Sequence, residues 1–179
     1  MEFIYRNPKI FMVSGKAGAG KNTISSIIKE FYGDNAIEIS FSYYIKDYAK
    51  RISNWDGSEE TKPRELLQQL GIELVRNKID PNLFINRTLE DIKVLSYFYD
   101  VIIISGGRLV EELETIKKNY PNAISIGVTS NKENNLTESE KNHFTETALD
   151  NYNNYDYVIN NNDSYEVLKN DVLNISKEV

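Results

Sequence analysis

The chain has 179 residues with 21 Lys and Arg against 27 Asp and Glu, a net charge of −6. That length suits one domain with its own core, and the acidic balance disfavours a protein that coats duplex nucleic acid. With no cysteine and a single histidine, His143, the chain has no disulfide framework, thiolate site or cysteine nucleophile and no histidine cage for a metal.

Lys9–Gly15 (KIFMVSG) is a short apolar run ending in glycine, the pattern of a buried parallel strand. A glycine-rich turn follows. Asn22–Phe31 then places Ile24, Ile27, Ile28 and Phe31 on one helical face. Gly33-Asp34-Asn35 is a stop signal, Ala36–Phe41 alternates as a strand does, and a helix starts at Ser42 or Tyr43 and runs to about Ile52. Ser53–Lys62 is polar and reads as a loop. Pro63 precedes a helix predicted over Arg64–Asn77, with Leu66, Leu67, Leu70 and Leu74 as its buried row. Asn82–Tyr97 is amphipathic, and Val101–Ser105 is the most apolar run, a central strand broken by Gly106-Gly107. Leu109–Asn119 is predicted helical and Ala123–Val128 a strand. Thr129–Asn142 is a polar excursion, Tyr155–Asn160 a last strand and Ser164–Ser176 a closing helix. Alternating strands and helices predict one α/β domain over residues 1–179, with about five parallel strands flanked by helices. No apolar run is long enough to cross a bilayer, and the start lacks the basic head and apolar run of a signal peptide, so the cytoplasm is the expected compartment.

The segment Gly15-Lys16-Ala17-Gly18-Ala19-Gly20-Lys21-Asn22-Thr23 has P-loop spacing, a glycine, four residues, then Gly20-Lys21. Glycines let backbone N–H groups turn inward at phosphate oxygens. The helix that follows adds the positive end of its dipole, and Lys21 adds a full charge. Residues 15–23 are therefore the candidate nucleotide site. Asn22 stands where a Ser or Thr usually follows the lysine, and Thr23, one residue on, is the candidate hydroxyl for Mg²⁺. The Gly-Lys-x-Thr order is that of nucleoside monophosphate kinases.

Three segments carry a wider resemblance. The loop GKAGAGKNT, the run RELLQQLGIELVRNKIDPNLFINRTL and the pair HFTE…YDYVINNNDSYEVLKNDV resemble deoxynucleoside monophosphate kinases of the phage type. The resemblance implies a P-loop NTPase fold like that of adenylate kinase. It also implies an acceptor-side helical region over 53–98, a short lid over 129–142, and transfer of a phosphoryl group from ATP, with Mg²⁺, to a nucleoside or deoxynucleoside monophosphate. Carried across by position, Lys21 and Arg108 are the catalytic cations. Arg64, Arg76, Arg108, Tyr43 and His143 face the acceptor, and Arg108 with Glu111 matches an R-x-x-E after the third strand. The partner is a small nucleotide, with no membrane and no nucleic-acid duplex.

The chain departs from that family in three places. Gly106 and Tyr43 stand where acids are usual, and Thr129–Asn142 contains no arginine, only Lys132 and Lys141 among its cations. Arginines of a lid neutralise the transferring group and are worth several powers of ten in rate. A second reading therefore stands beside the kinase, a nucleotide-binding or sensing module whose catalysis has decayed. Dephospho-coenzyme A stays open as an alternative acceptor. Single residues also keep plainer readings: Lys16 as a solvated side chain, Arg64 and Arg76 as exposed helix charges, His143 as a helix cap.

Overall fold

The computed structural model describes residues 2–132 and 136–179. Strand alternation explains how its core divides. In β1 (Lys9–Gly15), Phe11 and Val13 face one side of the sheet. They pack on Ile24, Ile27 and Ile28 of α1 (Lys21–Tyr32) and on Leu168, Val172 and Ile175 of α8 (Tyr165–Glu178). Ile10 and Met12 face the other side. There they meet Ile92 of α4 (Leu83–Leu95) and Leu113 and Ile116 of α5 (Val110–Asn119). Each sheet face thus buries a continuous apolar layer, the main favourable term in folding. Phe31, expected on the buried face of α1, is instead exposed and stands edge-on to Tyr32.

Five strands pair in parallel in the order β2-β3-β1-β4-β5, with β2 Ala36–Ser40, β3 Val101–Gly107, β4 Ile124–Thr129 and β5 Tyr157–Asn160. Gly106-Gly107 does not end β3 as the sequence suggests. The strand runs through both, and the register slips between Val13 and Ser14 so that Ser14 pairs with Gly107. Gly106 takes a positive φ of 80°, so the pair bends the strand without stopping it.

The segment between β2 and β3 departs further from expectation. Helix α2 (Tyr43–Ser53) is followed by residues 54–62 and then by α3 (Arg64–Gln68), which continues as a π-helix over Gln69–Ile79. A buried row of Leu66, Leu67, Leu70 and Leu74 assumes a period of 3.6 residues. The wider i→i+5 winding breaks that period, so Val75 is buried while Leu74 is exposed. Two short helices, α6 (Glu138–Lys141) and α7 (Phe144–Thr147), follow β4. The predicted lid over 129–142 includes residues 133–135, which lie outside the described residues. None of the helices is long and apolar enough to cross a membrane among the described residues.

Candidate active site

The carboxyl-end edge of the sheet opens into a cleft of about 830 Å³. Ligands of open parallel sheets bind at this edge. The turn from β1 into α1 forms one wall. Gly15 and Gly20 hold positive φ angles of 143° and 101°. A Cβ on Gly15 would collide with the Val128 carbonyl, and one on Gly20 with the Asn161 carboxamide. The Asn161 amide donates to the Ala19 carbonyl at 2.9 Å and ties the loop to the end of β5. The run Asp156-Tyr157-Val158-Ile159-Asn160-Asn161 in the closing segment therefore has a physical use. Its Asn161 clamps the phosphate loop, and its Asp156 accepts from the Ser125 N–H, the Ser125 hydroxyl and Lys117.

Lys21 is 8% exposed, and its ammonium donates to the carbonyls of Gly15 and Lys16 at 2.8 and 2.6 Å. Burial lowers its pKa from 10.5 to about 7, and the positive charges of Arg108 and Lys62 add to the effect while Glu146 opposes it. A cation held this way is short of counter-charge, which suits it to an anionic ligand.

Arg108 follows the end of β3. Its N–H and that of Leu109 donate to the Glu112 carboxylate at 2.7 and 3.0 Å, a cap on the start of α5. Glu112 is half-buried on the cleft wall, and burial pushes its pKa up to about 7 against these bonds and the charges of Arg108 and Arg76. The Arg108 guanidinium pairs with Glu146 of α7. Glu146 is 7% exposed, and its other oxygen accepts the Ala17 N–H at 2.9 Å. In the free chain, then, a carboxylate sits against the phosphate loop and its neighbouring arginine.

The far wall comes from α2, the 54–62 loop and the α3–π-helix pair. Arg64 and Arg76 both line it, as does Tyr43, which is 60% exposed. Arg76 pairs with Glu111 at 2.9 Å. Glu111, the acid of the R-x-x-E motif, thus holds Arg76, while Glu112, one residue beyond the motif, holds the backbone of Arg108. Tyr44 turns from the cleft and donates to Asp91 at 2.9 Å.

Other expected site residues fall elsewhere. His143 does not line the cleft. Its Nδ1 accepts the Thr145 N–H at 3.3 Å and caps α7, the plainer of its two readings. Thr23 is half-buried and also off the cleft surface, because it lies one residue further round α1. Asn22, directly after Lys21, lines the cleft in its place. Lys16 turns outward to an ion pair with Asp150 at 2.7 Å, and only its carbonyl serves the loop. Glu146, Asn161, Glu112 and Lys62 join the site without a signal of their own in the sequence. The available signal is indirect: Glu146 and Asn161 lie within the segments that carry the family resemblance.

A five-stranded parallel sheet with a P-loop at its carboxyl edge defines a P-loop kinase fold. Solved structures agree on the fold. The shikimate kinase of Bacteroides thetaiotaomicron superposes with a TM-score of 0.56 at 15% identity, covering 95% of this chain and 97% of that one. The dephospho-CoA kinase of Campylobacter jejuni gives 0.53 at 16% identity, covering 96% and 97%. The deoxynucleotide monophosphate kinase profile matches residues 38–172, and the chain belongs to that family. The cytidylate kinase of Bacillus subtilis (strain 168) is 32% identical over 108 residues, 59% of this chain and 48% of that protein. The chain thus matches about half the length of that curated relative.

Proposed function

We propose that the chain is a kinase that moves the γ-phosphoryl group of ATP onto the phosphate of a nucleoside or deoxynucleoside monophosphate. One observation carries the reading: Lys21 and Arg108 on one side, and Arg64 and Arg76 on the other, line one cleft. Two polyanions meeting in line need cations on both flanks. In the transfer, the bond from Pγ to the bridging oxygen breaks and its electron pair leaves with ADP, while an acceptor phosphate oxygen forms the new P–O bond. That oxygen is already ionised, so no general base is required, and Gly106 and Tyr43 in place of acids are compatible with turnover.

The loop at residues 15–21 and Lys21 hold the donor. Arg64 and Arg76 hold the acceptor, with Tyr43 at its entrance. Residues 53–98 serve as the acceptor side. The 129–142 segment covers the cleft through Leu136, its contribution to the lining among the described residues. Mg²⁺ in such sites rests mainly on phosphate oxygens and water and asks few ligands of the protein. When bound, it neutralises phosphate charge. Asn22, exposed on the cleft wall beside Lys21, offers a carboxamide oxygen that fits this need.

The test is ATP turnover with Mg²⁺ against a panel of nucleoside and deoxynucleoside monophosphates and dephospho-coenzyme A, with Lys21→Ala as control. Acceptor-dependent ADP formation that disappears in the variant supports the reading and identifies the acceptor. ATP binding without turnover on any acceptor favours a nucleotide-binding module instead.

A further inference from the structure

The cleft raises a question that the kinase reading leaves open. Arginines of a lid are the usual counter-charge for the group in transit, and the 129–142 segment has none. Its Lys141 pairs with Glu138 at 2.9 Å and does not line the cleft. Among the described residues, α7 brings to the lining only Thr145 and a carboxylate, Glu146.

The opposite wall brings a further cation, Lys62, into the cleft lining. The loop 54–62 reads as a polar linker, yet it is knotted by its own side chains. Asp56 accepts the Ser58 N–H and the Thr61 hydroxyl, both at 2.9 Å, and the Ser58 and Thr61 hydroxyls lie 2.6 Å apart. The Trp55 indole is buried and donates to the Ser58 carbonyl at 3.0 Å, with Lys50 over its ring. Local bonds of this kind give a loop one shape without a ladder. The knot delivers Lys62 into the cleft with its side chain only 17% exposed, steadied by Glu59 at 2.9 Å. Its charge reaches both flanks of the cleft, since it contributes to the lowered proton affinity of Lys21 and, after burial, of Lys46.

Resting on the kinase reading, we propose that Lys62 contacts the phosphoryl group in transit and supplies, from the acceptor side, the charge that a lid arginine would supply. As Pγ passes from the ADP oxygen to the acceptor oxygen, its three equatorial oxygens keep their negative charge. Lys62 neutralises that charge between Lys21 and the acceptor arginines. A preorganised cation acting at this point raises kcat more than it tightens either substrate.

The experiment is steady-state kinetics of the full chain with Mg²⁺, ATP and the monophosphate that turns over. Lys62→Met lowers kcat by about 10²–10³-fold, while KM for both substrates moves by less than about threefold. Lys62→Arg restores most of the rate, Lys62→Gln matches the Met variant, and Lys141→Met behaves as the parent. A kcat within about threefold of the parent, or a rise in acceptor KM at constant kcat, overturns the proposal. If the parent turns over no acceptor, the kinase reading fails separately. Lys62 is then read by binding of ADP with aluminium fluoride, a mimic of the group in transit. At least a tenfold loss in Lys62→Met, with ADP alone unchanged, supports the contact, and equal binding of the mimic overturns it.

Discussion

Replacing Lys21 by methionine should make the free protein more stable while removing its capacity to hold nucleotide. The ammonium is 8% exposed, and its pKa falls from 10.5 in the unfolded chain to about 7 in the folded one. That difference corresponds to roughly 4 kcal/mol of destabilisation at neutral pH. Methionine removes this cost but leaves the Gly15 and Lys16 carbonyls without their donor, an offset of about 1–3 kcal/mol. The net gain is about 1–3 kcal/mol, a rise of roughly 2–10 °C in melting temperature for a chain of this size. The pH dependence has a definite sign. Below about 7 both states carry the proton and the gain is full. It shrinks as pH rises from about 7 to 10.5, where the unfolded chain also loses the proton. The assay is thermal melting at pH 7 and near pH 10, with and without ATP. At about 1,000 times Kd, ATP adds about 4.1 kcal/mol to the parent and nothing to the variant, so the ranking inverts. A variant that melts below the parent at pH 7 without nucleotide, or whose gain is undiminished near pH 10, refutes the reasoning.

The same amine predicts proton uptake on binding: at pH 8.5 ATP recharges Lys21, so calorimetry in two buffers of different ionisation enthalpy should show net uptake, and no uptake would contradict the lowered pKa. Glu146→Gln should tighten ATP by roughly three- to tenfold, because phosphate no longer displaces a charged partner from Arg108 and the Ala17 N–H. The same variant should melt lower without nucleotide, since Arg108 loses its counter-charge, and weaker ATP binding would count against this picture. Gly20→Ala should lower stability by about 1–3 kcal/mol in chemical denaturation, given its φ of 101° and the Asn161 carboxamide against it. A melt equal to the parent would show that the loop relaxes freely.

The parts of the site that the sequence reveals are those whose chemistry is local. The phosphate loop needs glycines, a lysine and a helix start within nine residues, so it can be read directly. Arg108 is legible because the edge of a parallel sheet is where ligands bind, and the apolar run over Val101–Ser105 marks the strand before it. The clamp on the loop is not local. Asn161 lies 142 residues from Ala19 and Glu146 lies 129 from Ala17, and no periodicity links such pairs. The π-helix escaped because a single apolar pattern fits two windings over so short a stretch. Lys62 escaped because hydrophobic periodicity does not register a loop organised by hydroxyls and one aspartate. His143 and Thr23 stand off the cleft lining for a common reason: motif position fixes the turn of chain a residue belongs to but not the direction of its side chain.

The clamp also implies an order of events during synthesis. The phosphate loop is complete in sequence by residue 23, yet three of its restraints come from Val128, Glu146 and Asn161. A growing chain therefore carries its nucleotide-binding residues long before it can hold them in place, and contacts of such separation form late. On the proposed function, nucleotide should stabilise the finished domain and give no shelter to the nascent one. A chain ending before β5 should accordingly show no ATP-dependent shift in melting or protease resistance, even though it retains every residue from Gly15 to Thr23.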